Sequence, residues 1–119
     1  MAFGETVKPG SLQASSDGVN VTVRWVTDDE SNVSRFEVQR SSGIDGNFAT
    51  IAVVSPGSED HTYSFVDHSA FMRTTTIYQY RVMTYYTNRP DGVPSTPVTV
   101  SHTVSGVRRT WGSIKSLFR

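Results

Sequence analysis

The feature that most narrows the fold of this chain is a two-residue alternation that recurs in short runs, each broken by turn-forming residues. Val19-Asn-Val21-Thr-Val23-Arg-Trp25 puts valines and a tryptophan on one side and Asn20, Thr22 and Arg24 on the other. Ser34–Arg40, Ile77–Val82 and Val98–Val100 repeat the pattern. Successive side chains of a strand point to opposite faces, so each run predicts a strand with one face on a core and one in water. Gly10–Ser15, Asn47–Val54 and Thr62–Asp67 are weaker strand candidates. Ser16-Asp17-Gly18, Asp28–Asn32, Ser41–Gly46, Ser55–Asp60 and Asn88–Pro94 supply the turns between them. The chain has 119 residues, enough for one domain with a single core. It has no cysteine, which excludes a disulfide framework, thiolate metal sites and a cysteine nucleophile. No apolar run approaches the roughly 18 residues of a membrane-spanning helix. About seven short strands without disulfides predict an all-β, two-sheet sandwich.

Several of these runs resemble a known family in their order. Val21-x-Val23-x-Trp25 followed by Phe36-x-Val38-x-Arg40 is similar to the B and C strands of a fibronectin type III domain. Met72, with Tyr78-x-Tyr80-x-Val82 after it, resembles that family's E–F corner and F strand. Gly92, Ser95 and Pro97-Val-Thr-Val100 resemble its last loop and G strand. The resemblance spans residues 9–104 and departs from the pattern in Met72, where leucine is usual, and in the long Ser55–Ser69 connection. It implies an immunoglobulin-like sandwich in which Tyr78 returns its hydroxyl to the E–F corner. Trp25, Phe36, Val38, Tyr78, Tyr80 and Val82 are expected in the core, and Arg24, Glu37, Gln39 and Arg81 on outer faces.

The residues offer little for catalysis. Asp67 and His68 are chain neighbours that a strand points to opposite faces, and no Gly-x-Ser-x-Gly elbow occurs. Glu59, Asp60, His61 and His68 lack a metal-ligand spacing and read as solvated loop residues. Asp28-Asp29-Glu30 lacks the spaced carboxylates and tight glycine of a calcium loop, so it too reads as a solvated acidic loop. It also offers a docking surface for a basic segment. Where the resemblance would place the integrin-binding Arg-Gly-Asp tripeptide, this chain has Arg89-Pro90-Asp91, so that activity is not carried over. Pro90-Asp91-Gly92 reads as a β-turn, with glycine at a positive φ. The chain is therefore expected to be no enzyme and to need no cofactor or metal.

Charge is divided along the chain. Residues 1–104 hold seven basic and eleven acidic side chains, 7 − 11 = −4, whereas residues 105–119 hold Arg108, Arg109, Lys115 and Arg119 and no acid, +4. A net charge of zero therefore conceals an acidic body and a basic tail, and gives no general field for nucleic acid. At helical spacing Val107, Trp111, Ile114, Leu117 and Phe118 fall within an arc of about 120°, flanked by the basic side chains. Such a segment is marginal as a helix alone, so it is expected to need a surface to lie on. The organisation expected is a lead-in over 1–8, a sandwich over 9–104 and a basic amphipathic tail over 105–119. The expected role is a non-catalytic protein-interaction or structural module that self-associates through Arg108, Arg109, Trp111, Ile114, Lys115, Leu117, Phe118 and Arg119. Packing of the tail on its own sandwich is one alternative, and attachment to an anionic membrane surface is another. No small-molecule substrate is expected. If Met1 is the native start, the location expected is cytoplasmic; a processed form would be at the cell surface or outside.

Overall fold

The computed structural model describes residues 6–43, 46–68 and 75–103. Eight strands lie in them: β1 (Gln13–Ser16), β2 (Val21–Val26), β3 (Val33–Ser42), β4 (Ala49–Val54), β5 (Thr62–Asp67), β6 (Thr75–Tyr86), β7 (Val93–Pro94) and β8 (Val98–Thr103). They form two antiparallel sheets. One has the order β1-β2-β5; the other runs β4-β3-β6, with β7 and β8 both paired to β6. The sandwich expected from the alternation is the fold observed.

The core is built from the predicted faces. Trp25, Phe36, Val38, Tyr80 and Val82 are fully buried and Tyr78 is nearly so. Trp25 lies against Tyr63 of the neighbouring strand, rings stacked at 5.5 Å, and meets Phe36 of the opposite sheet edge-on at 6.0 Å. This aromatic cluster fills the space that a disulfide would otherwise staple. The indole N–H of Trp25 has no hydrogen-bond partner among the described residues, and the ring contributes through packing.

Three local departures have physical causes. Val19 is exposed rather than in β2, because the Asp17 carboxylate accepts the amides of Val19 and Asn20 at 2.8 and 2.7 Å and holds them in a turn. Gln39 is on the outer face as expected but is buried there. Its carboxamide donates to Thr50 at 3.1 Å and accepts from Arg81 at 2.8 Å, and Arg81 itself covers Phe48 at 4.3 Å. β6 continues past Val82 to Tyr86, with Thr84 buried, because the alternation tolerates a threonine facing inward.

Arg40, which the alternation turns inward, links the sheets. The Asp67 carboxylate on β5 accepts from its guanidinium and from the Tyr80 hydroxyl on β6, both at 2.7 Å. Burial first, then the hydrogen bond to Asp67, pushes the Tyr80 phenol far above its ordinary range. Burial works against the Arg40 charge, but the bond to Asp67, the charge of that carboxylate and the neighbouring Tyr80 and Tyr78 together outweigh it and raise its pKa. Tyr78 is buried beneath Arg40, 5.1 Å from its ring centre; the corner to which its hydroxyl was expected to return, residues 69–74, lies outside the described residues.

Between β7 and β8 the pairing with β6 is interrupted, and Ser95 fills the gap. Its amide donates to the Val82 carbonyl at 2.8 Å and its hydroxyl accepts the Val82 amide at 2.9 Å. Strand directions then define two ends. β2, β4 and β6 finish, and β3 and β5 begin, at the end carrying the loops 27–32, 55–61 and 87–92. β8 runs from Val98, beside Tyr80, to Thr103, beside Thr75, so the chain leaves the sandwich at the other end.

Candidate interaction surface

The three loops at that end form one pole, held together by backbone bonds. The Thr27 amide donates to the His61 carbonyl at 2.9 Å, and the Thr87 amide to the Asn32 carbonyl at 2.7 Å. Asn32 and His61 both sit at positive φ, 66° and 60°, which bends the two loops toward each other. The N-terminal segment joins them through a Val7–Thr27 bridge and a Thr6–Tyr86 hydroxyl bond of 2.7 Å.

Glu30 is the hub of the pole, and this corrects the expectation of a uniformly solvated acidic triplet. Its carboxylate accepts from the hydroxyls of Thr27 and Tyr63, the latter at 2.7 Å, and from the Gly57 amide at 3.2 Å. Burial opposes its ionisation, but these bonds and His61 outweigh burial and hold the carboxyl below the usual range. Asp28 and Asp29 are exposed as expected. Ser31 donates both hydroxyl and amide to Asp29, holding it low, and Lys8 approaches Asp28 at 3.7 Å.

The remaining polar residues separate rather than converge. The Asp60 carboxylate accepts from the Ser58 hydroxyl at 2.7 Å and the Thr62 amide at 3.1 Å, and both keep it ionised. His61 lies beside Thr27 and Glu30, whereas His68 is at the opposite end of β5 against Asn20. Thr27, His61 and Glu30 superficially resemble a hydroxyl–imidazole–carboxylate relay. Thr27 gives its proton directly to Glu30, however, and both partners face the same imidazole nitrogen, Nδ1, at 3.2 and 3.5 Å. A relay needs the two nitrogens in different roles. Among the described residues no three His, Asp or Glu side chains are placed to hold a metal ion.

Gly92 sits in the last loop for a reason other than the one expected. Its φ is not positive; instead a Cβ there would come within 2.7 Å of the Tyr85 ring and 2.9 Å of the Met83 methyl. Close approach of the Tyr85 and Met83 side chains, not turn geometry, favours glycine. Tyr85 in turn is covered by Arg35 at 4.0 Å.

What distinguishes the pole is charge. It carries Asp28, Asp29, Glu30, Glu59, Asp60 and Asp91 against Lys8 and Arg89, 2 − 6 = −4. The rest of the described body holds Arg24, Arg35, Arg40 and Arg81 against Asp17, Glu37 and Asp67, 4 − 3 = +1. All of the predicted partner-binding residues, Arg108, Arg109, Trp111, Ile114, Lys115, Leu117, Phe118 and Arg119, lie outside the described residues, as does the expected boundary near residue 105.

Among solved structures the chain is similar to an Fn3-like protein from Clostridium thermocellum, with 22% identity and a TM-score of 0.50 over 76% of this chain and 83% of that one. The fold is fibronectin type III-like. Part of a family 76 glycoside hydrolase from a bovine Bacteroides thetaiotaomicron strain is also similar, with 14% identity and a TM-score of 0.56. That match covers 82% of this chain but only 20% of the hydrolase, so it bears on the sandwich alone. No protein-family model and no curated protein matches the chain.

Proposed function

We propose that this fibronectin type III-like domain is a non-catalytic interaction module that assembles head to tail. The basic amphipathic segment 105–119 of one copy docks on the acidic loop pole of the next. The observation that carries this reading is the placement of charge relative to chain direction. The acidic surplus lies at one pole, and the chain leaves β8 at the other, heading away from it. A segment that leaves opposite its complement meets a neighbour's acidic pole more directly than its own. Such a contact uses two different surfaces and propagates in one direction unless it closes into a ring. The hydrogen bonding of Thr27, His61 and Glu30 supports a non-catalytic role, since the Thr27 hydroxyl donates directly to Glu30 and the imidazole does not stand between them.

Sedimentation velocity on the full chain and on a version ending at Val104 tests the proposal. The full chain is expected to form concentration-dependent oligomers and the shortened one to remain a monomer. A monomeric full chain would overturn it. Binding of that monomer to anionic vesicles would favour membrane attachment, whereas unfolding of the shortened version would identify the segment as part of the core.

A further inference from the structure

Beside the acidic pole lies an apolar hollow of about 180 Å³, set between the N-terminal segment and the β7–β8 link. Val7 and Leu12 form its buried floor; Pro9, Thr96 and Val98 form its walls. It occupies the open side of the sandwich, where the N-terminal residues leading into β1 pass the start of β8. Lys8 stands on its rim and also lines a second, polar groove with Asp28, Asp60 and His61. Socket and groove therefore adjoin at Lys8, an apolar depression flanked by two exposed carboxylates.

That arrangement is the complement of the segment 105–119, whose apolar side chains are flanked by basic ones. Resting on the head-to-tail reading, we propose that the socket receives the Trp111 ring of a second copy. Arg108 and Lys115 of that copy then lie over Asp28 and Asp60. Size permits it: an apolar cavity of about 150 Å³ encloses a benzene ring, and this hollow is larger and opens to solvent, which leaves room for the second ring of an indole. Spacing permits it as well: Arg108 and Lys115 are three and four residues from Trp111, which puts them on the same helical side as the ring. The groove is easily entered. Its existing Lys8–Asp28 contact is 3.7 Å long with both side chains about half exposed or more, and such surface pairs are weak. Aromatic anchors in pockets with a charged rim are the usual centre of a specific interface.

The test uses complementation between a full-length variant and a shortened one. Thr96→Trp, at an exposed wall position, fills the socket while leaving the tail intact; the version ending at Val104 keeps the socket and lacks the tail. Each alone is expected to be monomeric, with self-association weakened at least tenfold, and their mixture is expected to form a one-to-one dimer that grows no further. Asp28→Lys combined with Asp60→Lys changes only exposed carboxylates and is expected to weaken assembly without moving the melting temperature by more than a few degrees. If the socket variant assembles like the unmodified chain while the groove variant and the shortened version do not, the socket is not the receptor and the head-to-tail reading stands; if the groove variant also assembles unchanged, docking on the acidic pole falls as well. Should the shortened version itself assemble, that reading falls with it. A mixture that stays monomeric would overturn the socket assignment, because a blocked copy must still donate its tail.

Discussion

Glu30 illustrates how a loop carboxylate acquires a role from contacts remote in the chain. Its two acidic neighbours are solvated, while it gathers Thr27 from its own loop and Gly57 and Tyr63 from two other segments. Because its folded pKa is depressed, the stability it contributes is complete above the ordinary glutamate range and is lost as pH falls through the lowered folded value. The melting temperature should therefore drop as the pH falls below about 4, where unfolded glutamates take up protons. Glu30→Gln should flatten that part of the curve, and a slope identical to that of the unmodified protein would assign the acid loss to Asp29, Asp60 or Glu37 instead. Glu37 is also held low, first by the Arg35 hydrogen bond against the opposing effect of burial, so a residual slope is expected.

One polar clamp adds to the apolar faces in joining the two sheets. Asp67 of β5 accepts from Arg40 of β3 and Tyr80 of β6, so three strands from two sheets meet at one carboxylate. Removing it leaves a guanidinium whose side chain is only 22% exposed without its counter-charge. Asp67→Ala should therefore cost about 3–5 kcal/mol, toward the lower end because Arg40 retains some water. Tyr80→Phe should cost about 1 kcal/mol, since it removes one hydrogen bond and leaves the ion pair. Urea unfolding of the two variants checks the order; equal losses would mean that the hydroxyl, not the ion pair, holds the sheets together. Strand existence was readable in nearly every case, including the weaker candidate Thr62–Asp67, which β5 matches end to end. The start of β2 was not, because the Asp17 carboxylate competes for the Val19 and Asn20 amides and ends the alternation early.

Taken together, the domain is a dipole with an apolar socket at its acidic end. Under the proposed assembly, charge acts on encounter and the buried ring acts on residence. Raising ionic strength from about 0.01 M to 1 M shortens the screening length from about 30 Å to 3 Å. Stopped-flow light scattering should then show association slowing by tenfold or more while dissociation changes by much less. An association rate indifferent to salt would remove charge steering from the account. Oligomer size should also rise with concentration past a dimer, steadily for an open chain or up to a closed ring, as a contact between two unlike surfaces implies.

Period alone determined that this chain is a two-sheet sandwich. A strand repeats every two residues, and a one-sided core writes that repeat into Val21, Val23 and Trp25 and into Tyr78, Tyr80 and Val82. The division of charge between residues 1–104 and 105–119 was equally visible, because formal charge is a local property of the chain. Only the tertiary structure decided where the charges of the described body sit, that Asp67 is the inter-sheet clamp, that Glu30 is a hub and that Val7, Leu12 and Val98 line a hollow. These features join segments far apart in sequence, and nothing in the local pattern of either segment encodes its distance from the other. Their meeting follows from the order in which the strands pair.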